Sequence, residues 1–548
     1  MIELKKNLIL KKKIINYSIF LFFVFYFLVG VNIYRDYGIS VDEPFHRSSG
    51  FYWYLWIIEK FSFSSENLQY LKNSFNKMEF SQDFVNGTYL EYGVIFDLFA
   101  VFIEDKFNIQ NSQDVFYIKH FLNFLIFYIS SVAFFYLIKK RFKNNFLALV
   151  GIIFYVTSPR IFAESFYNCK DIVFMSLVVL SIYFGLKILK KCKLKNIILF
   201  TFFSALATGV RSMGIFPVFL VLGFFIFDII EKKIFSLKQL KIISTILISY
   251  VFFTYLIWPY LWDDPINHFV TAFNSFKNYS WGGSVLYLGE YIKGSNLPWH
   301  YSFVWIGIST PIIYILLFTI GSYKVFYNFL TNLDGLWKNL DEKLDLFVLA
   351  FFFGPLIAVI IFSSTLYNGW RQLYFIYPAL IYLSIFGLNY LLNLNMSRIF
   401  KFSIFIITFL SICINVFTLI KLHPFQNIYF NLLVEKKANN LFEIDYWGLG
   451  NAHSINKILN ELNETERVSV KTASFSDLKY SRYIINNKKI NNIDFTGTSE
   501  INSDYIFTNY TYESSPKFEK KYFIPENYKK VYTLKRGKII INEIFKKE

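Results

Sequence analysis

Residues 158–190 read SPRIFAESFYNCKDIVFMSLVVLSIYFGLKILK, and the contrast between the two parts of this stretch predicts the fold. The first part carries four charged side chains, those of Arg160, Glu164, Lys170 and Asp171. The second part, residues 172–189, is almost wholly apolar. As a helix it is long enough to cross the ~30 Å hydrocarbon core of a bilayer. We therefore expect a membrane-spanning helix that follows a short, highly charged connection.

The whole chain has the composition of a membrane protein. Its 548 residues are 55% hydrophobic and only 17% charged, whereas soluble domains have about 25% charged residues. A soluble enzyme and a disordered chain are excluded, because this composition leaves too little polar surface to cover a soluble core. The cysteines Cys169, Cys192 and Cys413 are too few and too scattered for a disulfide scaffold or a zinc site.

Apolar runs predict eleven membrane-spanning segments. They lie near residues 14–34, 115–137, 145–159, 172–189, 196–210, 213–230, 241–259, 302–322, 346–362, 373–391 and 402–420. Lipid cannot hydrogen-bond the backbone, so these segments must be helices rather than open strands. The predicted fold class is an α-helical polytopic membrane protein.

Basic clusters between the spans predict the orientation. Residues 139–141 and 190–191, all Lys or Arg, fall on one side if the spans alternate, and that side is cytoplasmic by the positive-inside rule. The net charge of +17 has the same explanation, so we do not expect nucleic acid as a partner. The opposite loops then lie outside a multi-pass protein of the cytoplasmic (inner) membrane; they are residues 35–114, 160–171, 260–301 and 363–372.

Residues 421–548 differ from the rest, with shorter apolar runs and more Asn, Lys, Glu and Ser. Helix patterns near 451–462 and 475–486 alternate with strand-like stretches at 467–470, 505–508 and 538–541. Strands that alternate with helices are typical of an α/β domain. We expect residues 1–420 to form a membrane domain and residues 421–548 a small extracytoplasmic α/β domain.

Two adjacent carboxylates, Asp42 and Glu43, follow the first span and are candidate catalytic residues. A carboxylate at the membrane surface can act as a general base on an acceptor hydroxyl or amine. Acidic residues also favour a helix N-terminus, so both could simply cap the next helix. With His46 and Asp171 they could bind a divalent cation. Nearby Lys and Arg already balance their charge, and we assign no metal ligand and no required cofactor.

Basic side chains on the predicted outer side indicate an anionic substrate. Lys170 could hold a phosphate group as a point charge, and the guanidinium groups of Arg160, Arg211 and Arg371 suit bidentate contact with phosphate oxygens. Charges near bilayer depth are costly and are usually functional or paired. Arg160 and Lys170 could instead extend to lipid headgroups.

Three outer-loop side chains complete the set of candidate substrate-binding residues: Trp299, His300 and Tyr367. Aromatic faces suit stacking on sugar rings, but anchoring at the membrane interface explains them equally well.

The order of the charged and aromatic outer-loop segments along the chain resembles that of the polytopic GT-C glycosyltransferases. Within them, the resemblance is to the family 39-like branch of protein mannosyltransferases and aminoarabinose transferases. The resemblance is carried by Asp42-Glu43, residues 160–171, Leu297-Pro298-Trp299-His300-Tyr301, Tyr367-Asn368-Gly369-Trp370-Arg371 and Asp445-Tyr446-Trp447-Gly448. The sequence departs from some members of the superfamily, because it has no room for a β-trefoil insert and no WWDYG-like motif.

The resemblance implies transfer of a sugar from a polyprenyl-phosphate carrier in the membrane lipid to a protein, glycolipid or polysaccharide acceptor on the outer face. By position, Asp42 would be the catalytic base and Asp171 a second site carboxylate. Lys170, Arg211 and Arg371 would be candidates for the lipid phosphate. One strong base predicts a single displacement that inverts the anomeric centre.

Two other functions stay open at this point. A transporter or flippase of lipid-linked sugars would use the same outer cations. The middles of the predicted spans, however, contain almost none of the ionisable residues that such proteins usually need. A non-catalytic membrane scaffold would leave the charges of the outer loops without a role beyond helix ends.

Overall fold

Helices dominate the first 422 residues of the structure, a computed structural model that describes residues 2–232, 236–277, 281–331, 339–498, 502–517 and 519–548. The helices up to the middle of the chain are α1 (Ile2–Ile33), α2 (Glu43–Lys60), α3 (Leu68–Asn76), α4 (Ser81–Val85), α5 (Ile95–Lys106), α6 (Ser112–Phe142), α7 (Asn145–Thr157), α8 (Pro159–Tyr167), α9 (Asp171–Lys190), α10 (Leu194–Thr208), α11 (Phe216–Lys232), α12 (Leu237–Ile257) and α13 (Pro265–Lys277). They are followed by α14 (Tyr301–Ser309), α15 (Ile312–Leu330), α16 (Leu340–Ile361), α17 (Tyr377–Asn393), α18 (Arg398–Leu422), α19 (Ala438–Leu441) and α20 (Asn451–Glu461).

Eight helical stretches among the described residues are long and apolar enough to cross a membrane. They are Lys13–Ile33, Ser112–Phe142, Asp171–Lys190, Leu237–Ile257, Ile312–Leu330, Leu340–Ile361, Arg371–Asn393 and Arg398–Leu422. The pair α7 and α8 would make a ninth span with a 65° bend, and α10 and Ser212–Phe227 are shorter apolar helices. The predicted helical, polytopic membrane fold is confirmed, while the number of eleven spans stays a prediction.

The structure differs from the predicted bounds in two places, each at a proline. Instead of one span at 302–322, α14 ends at Ser309 and the long apolar helix is α15. Pro311 favours extended backbone at the preceding Thr310, which has φ −109° and ψ 143°. Instead of an open loop at 160–171, Pro159 begins the short helix α8, whose residues are all buried.

The two most buried spans begin with candidate site residues. Within the spans that start at Asp171 and Arg371, 72% and 78% of the apolar window is buried inside the protein, compared with 17% for α1, α12 and α18. The helix α9 and the stretch leading into α17 therefore occupy the centre of the bundle. Their first residues bring two charged side chains to the same end of it, the end that the basic clusters predict to be outside.

The small C-terminal domain predicted from the sequence contains a five-stranded sheet. The strands of the chain are β1 (Ser284–Tyr287), β2 (Glu290–Lys293), β3 (Val468–Thr472), β4 (Ile493–Gly497), β5 (Tyr505–Thr508), β6 (Tyr528–Arg536) and β7 (Ile539–Lys547). The sheet order is β4-β3-β5-β7-β6, with β3 parallel to β4 and β5 and the β5–β7 and β6–β7 pairs antiparallel. Strands β1 and β2 form a separate antiparallel hairpin in the loop before α14.

Apolar side chains of α20 form a core with the C-terminal sheet. Ile455, Ile458 and Leu459 pack in one buried cluster with Val470 and Phe507. The helix pattern near 475–486 forms only 3₁₀ turns at Leu478–Ile484. The sequence does not predict strands β4 and β6, and β6 alternates little between buried and exposed positions.

Glycines let α15 and α17 approach very closely. A Cβ on Gly387 would lie 2.1 Å from the carbonyl oxygen of Leu317, and one on Gly321 would lie 2.0 Å from that of Leu383. Small residues at facing positions are a common way for membrane helices to pack backbone against backbone. This contact holds the helix that follows Arg371 against its neighbour.

Replacing Gly387 by alanine should destabilise the protein by about 1–3 kcal/mol, because the added methyl group must push the two helices apart. Thermal unfolding in detergent should show a lower Tm. Gly223→Ala in α11 is the matched control, since a Cβ there meets nothing within 4 Å apart from its chain neighbours and alanine favours the helix. Equal Tm values for the two variants would contradict the close packing of α15 on α17.

Candidate active site

Arg371 joins two carboxylates that lie far apart in the sequence. Its Nη1 donates to Asp42 Oδ2 at 2.7 Å and lies 4.0 Å from Asp171 Oδ2. On the other side of Asp171, Arg211 Nη2 donates to Oδ1. The Asp42 side chain is 36% exposed, whereas those of Asp171 and Arg371 are 1% and 8% exposed. The group therefore has one accessible carboxylate, that of Asp42. Asp171 and Arg371 are buried, and opposite charges lie next to each of them.

Asp42 is free to make this contact because it does not cap a helix with its side chain. It stands at the N-cap position of α2, but its carboxylate accepts no capping hydrogen bond. Its Oδ1 has no hydrogen-bond partner among the described residues. An accessible oxygen of this kind can accept a proton from a molecule outside the protein.

A tight turn delivers Arg371 to the carboxylates. Asn368 and Gly369 both have positive φ, 54° and 77°, in the left-handed region that glycine adopts without strain. The Gly369 N–H donates to the hydroxyl oxygen of the buried Tyr301 at 3.1 Å. This hydrogen bond fixes the turn two residues before the guanidinium.

Two aromatic rings hold the Arg371 guanidinium in place. Its Cζ lies 4.6 Å from the ring centre of Trp447 and 5.0 Å from that of Tyr367. The Trp447 carbonyl oxygen also accepts a hydrogen bond at 3.0 Å from the N–H of Val41, the neighbour of Asp42. The C-terminal segment thus contacts both members of the Asp42–Arg371 pair.

Lys170 adds a cation that makes no direct ion pair with a described carboxylate, although Asp171 and Asp42 lie close enough to act on its charge. Among the described residues no carboxylate oxygen lies within 4.0 Å of Nζ, which lies 4.6 Å from the ring centre of Tyr92. Burial and then the neighbouring Arg211 charge lower the pKa of Lys170 to about 8. The ammonium group is therefore mostly charged at neutral pH and available to an anion.

Opposing influences act on the pKa of Asp42. Burial favours the neutral acid, but the Arg371 guanidinium, helped by its hydrogen bond and by Lys170, outweighs it and lowers the pKa of Asp42. The carboxylate is therefore ionised at neutral pH and can accept a proton.

The structure does not bring Glu43 to this group. Its carboxylate is fully buried, accepts from the Ser40 N–H at 2.7 Å and lies 3.0 Å from Nε2 of His120. His46 also faces elsewhere, with Nδ1 3.9 Å from Asp97. Of the four residues considered as metal ligands, Asp42 and Asp171 therefore share Arg371 while Glu43 and His46 face elsewhere, and no cluster of three His, Cys, Asp or Glu side chains in the described part of the chain could hold a metal ion.

The other candidates for substrate binding occupy different positions. Arg160 Nε donates to the Tyr429 carbonyl oxygen at 2.9 Å, and its Cζ lies 4.7 Å from the ring centre of Phe430. His300 Nδ1 lies 2.6 Å from the Tyr287 hydroxyl, and Trp299 is 67% exposed. Tyr367 is the member of this set next to the carboxylates: one side faces Arg371, and Trp281 stacks on it with ring centres 4.8 Å apart.

Sequence reasoning missed two residues that shape the site. Glu164 is fully buried and accepts from the Tyr374 hydroxyl at 2.7 Å and from Asn168 Nδ2 at 2.8 Å. The same Asn168 amide donates to Asp171 at 3.2 Å, so Glu164 orients Asp171 through it. The signal is the spacing of four between Glu164 in α8 and Asn168, the residue that ends this helix. The second residue is Trp447, in the motif Asp445-Tyr446-Trp447-Gly448. The sequence alone gives no sign of its contact with Arg371.

Comparison with known proteins finds a family model that matches residues 112–258 of this chain, described as dolichyl-phosphate-mannose-protein mannosyltransferase. The match includes Lys170, Asp171 and Arg211, and it ends before Arg371. A comparison with curated proteins finds no significant match.

Two solved structures are similar in architecture, both of ArnT from Cupriavidus metallidurans. The apo structure has 12% identity and a TM-score of 0.44, with 86% of this chain and 84% of that chain covered. The structure bound to undecaprenyl phosphate has 9% identity and a TM-score of 0.42, with 96% and 98% covered.

The family match includes residues 160–171, one of the segments that carry the resemblance, and with them Lys170 and Asp171 at the start of α9. The predicted resemblance to protein mannosyltransferases is therefore confirmed for residues 112–258.

Proposed function

We propose that this chain is an integral-membrane glycosyltransferase that moves a sugar from a polyprenyl-phosphate carrier to an acceptor. The observation that carries the proposal is the accessible Asp42 carboxylate, which is hydrogen-bonded to Arg371 and lies within electrostatic reach of the Lys170 ammonium. A base next to a group of cations suits a reaction in which a nucleophile loses a proton and a phosphate leaves. The family whose model matches is described by a lipid-phosphate-linked sugar, which is the same chemistry.

The reaction follows from the charges of the site. The acceptor hydroxyl or amine attacks the anomeric carbon while Asp42 takes its proton. The bond between that carbon and the carrier phosphate breaks, and the phosphate leaves with the electron pair. Lys170, with Arg211 and Arg371, stabilises the negative charge that develops on it, since fixed cations in a site shielded from water act strongly on such charge. A lipid phosphate is already a weak base, so no general acid is required.

The site also suggests where the reaction occurs. Asp42, Asp171 and Arg371 lie at the end of the bundle opposite the basic residues 139–141 and 190–191. By the positive-inside rule this end faces away from the cytoplasm. We infer that transfer takes place on the outer face of the cytoplasmic membrane and that residues 421–548 form an extracytoplasmic domain next to the membrane domain of residues 1–420.

Replacing Asp42 by asparagine should lower the rate of sugar transfer by about 10²–10⁴-fold, because the amide cannot take the proton of the acceptor. Turnover of polyprenyl-phosphate sugars by purified protein measures the effect. Asp36→Asn is the matched control: Asp36 is also an outer carboxylate with one basic partner, His423, but it lies outside the Arg371 group. Unchanged turnover by Asp42→Asn would remove Asp42 from the mechanism.

The rate should fall at alkaline pH because Lys170 must carry a charge. As pH rises through about 8, the free protein loses the Lys170 proton, and kcat/KM, which reports the free enzyme, should decline. Lys170→Arg stays charged in this range, so its decline should begin at least about one unit higher. Lys60→Arg, a change at an outer lysine paired with Asp263, should leave the profile as it is. A decline near pH 8 in Lys170→Arg would show that another group titrates.

The product should have the anomeric configuration opposite to that of the donor. Asp42 is the accessible carboxylate of the Arg371 group, while Asp171 is buried behind Arg211 and has no path to a covalent adduct. Proton NMR of the product formed from a donor of known configuration measures the outcome. Retention of configuration, or a glycosyl group trapped on the protein and found by mass spectrometry, would refute a single displacement.

A further inference from the structure

Leu432 and Leu433 are two adjacent apolar side chains that the protein leaves uncovered. Their exposed fractions are 81% and 74%, and Leu432 has the highest value of any large apolar side chain in the part of the chain that the structure describes. Apolar residues exposed singly are common on protein surfaces. Two adjacent leucines with nearly complete exposure are instead a candidate contact with something outside the chain.

Asn431 fixes the position of the two leucines. Its backbone N–H donates to the Ile308 carbonyl oxygen at 2.9 Å. Its Nδ2 donates to the carbonyl oxygens of Gly307 and Thr310 at 2.7 and 3.0 Å. Its Oδ1 accepts from the N–H of Leu433 at 3.2 Å. The leucines are therefore held directly beside the break between α14 and α15.

This break lies at the level of the membrane spans. Thr310 lies two residues before α15, one of the long apolar helices. In the first turn of α15, the Tyr314 hydroxyl accepts from Asn415 Nδ2 of α18 at 3.0 Å. Asn415 lies seven residues before the end of α18, which is about 10 Å along the helix axis. The last turns of α18, in which Phe417 and Ile420 are exposed, therefore extend beside the break. The two leucines thus lie at the depth of the outermost lipid-facing side chains of a span.

Two exposed lysines follow the leucines. Lys436 and Lys437 end the 3₁₀ turn Glu435–Lys437, and neither makes an ion pair with a residue that the structure describes. The acid of this turn, Glu435, is partly buried. The positive-inside rule explains basic residues at the cytoplasmic end of the bundle and so does not explain this pair, which lies at the opposite end. Apolar side chains beside exposed cations are typical of elements that lie in the surface of an anionic bilayer.

The C-terminal sheet is attached to the same segment. Asn439 Nδ2 donates to the Ile540 carbonyl oxygen at 2.8 Å, and its Oδ1 accepts from the Ile540 N–H at 3.1 Å. A Cβ on Gly537, in the turn between β6 and β7, would lie 3.6 Å from Glu435 Oε1. This turn therefore packs on residues 435–439, and it adds the exposed Lys538 to the two lysines.

We propose that residues 432–437, together with Lys538, form a membrane-contact surface through which the C-terminal domain rests on the outer leaflet of an anionic bilayer. Leu432 and Leu433 enter the boundary between headgroups and acyl chains, and the lysines contact lipid phosphates. Lipid is the occupant because the leucines continue the lipid-facing surface of α18, and an anionic lipid because the neighbouring charges are positive. The proposal requires only the membrane domain and does not depend on sugar transfer.

The accessibility of a spin label at position 433 tests the proposal directly. The label is attached to Leu433→Cys in the full chain, with Cys192 and Cys413 replaced by alanine and the buried Cys169 retained. In vesicles of phosphatidylcholine and phosphatidylglycerol, collisions with oxygen should exceed those with an uncharged, water-soluble nickel chelate. Their ratio should place the label about 5–10 Å below the phosphates. A label at Leu432→Cys gives the answer if the first variant does not fold.

A label on Asp494→Cys is the control for position. Asp494 is exposed on β4, at the edge of the sheet opposite β6. Its label should collide mainly with the chelate in the same vesicles.

The charge of the lipid tests the lysines. In vesicles of phosphatidylcholine alone, collisions of the 433 label with the chelate should rise at least about twofold, because the lysines lose their attraction to the surface. With Lys436→Gln and Lys437→Gln combined, the collision rate should be the same in both kinds of vesicle. Lys488→Gln with Lys489→Gln, an adjacent pair just before β4, should keep the original dependence on lipid charge.

Three results would overturn the proposal. Collisions mainly with the chelate at position 433 would mean that the leucines lie in water. A label that neither reagent reaches would mean that a second copy of the chain or another protein covers them. A label in the bilayer whose chelate collisions ignore lipid charge would remove the lysines, and with them the anionic surface, from the contact.

Discussion

The Arg371 guanidinium is the contact on which the rest of the site depends. It pairs with Asp42, 329 positions earlier in the chain, and lies 4.0 Å from Asp171 at the start of the central helix α9. A buried guanidinium without a partner is costly, and the two carboxylates need its charge in return. The contacts of Arg371 with Asp42 and Asp171 hold three parts of the chain together: the first outer segment, the start of α9 and the turn before α17. Only one carboxylate of the group, Asp42, is left accessible.

The C-terminal segment contributes contacts to the Arg371 site. Trp447 lies over Arg371 and hydrogen-bonds Val41 through its carbonyl oxygen, while Asp445 accepts from Asn427 at 2.9 Å and from the Gly450 N–H at 2.8 Å. The segment is thus tied both to the chain leaving α18 and to the chain entering α20. A protein in which this segment is displaced would lose one face of the Arg371 site.

The sequence predicts the fold where local physical rules determine it. It predicts the candidate site only in part. Apolar length alone indicated the spans, and charge patterning indicated Asp42, Lys170, Asp171 and Arg371 as candidates on one side. Long-range packing decided what local rules could not. Glu43 has the same chemistry as its neighbour Asp42, yet the backbone turns it toward His120. The 3₁₀ turns at Leu478–Ile484 and the strand β6 likewise form against partners distant in sequence.

A double-mutant cycle between Asp42 and Arg371 tests most directly whether they act as one unit. The sugar-transfer kcat/KM of Asp42→Asn, Arg371→Gln and the double variant is compared with that of the wild type. Residues that act together show strongly non-additive losses. We expect the double variant to be about as slow as the slower single variant. Losses that multiply across the two positions would show that Asp42 and Arg371 contribute independently, which would contradict the shared site.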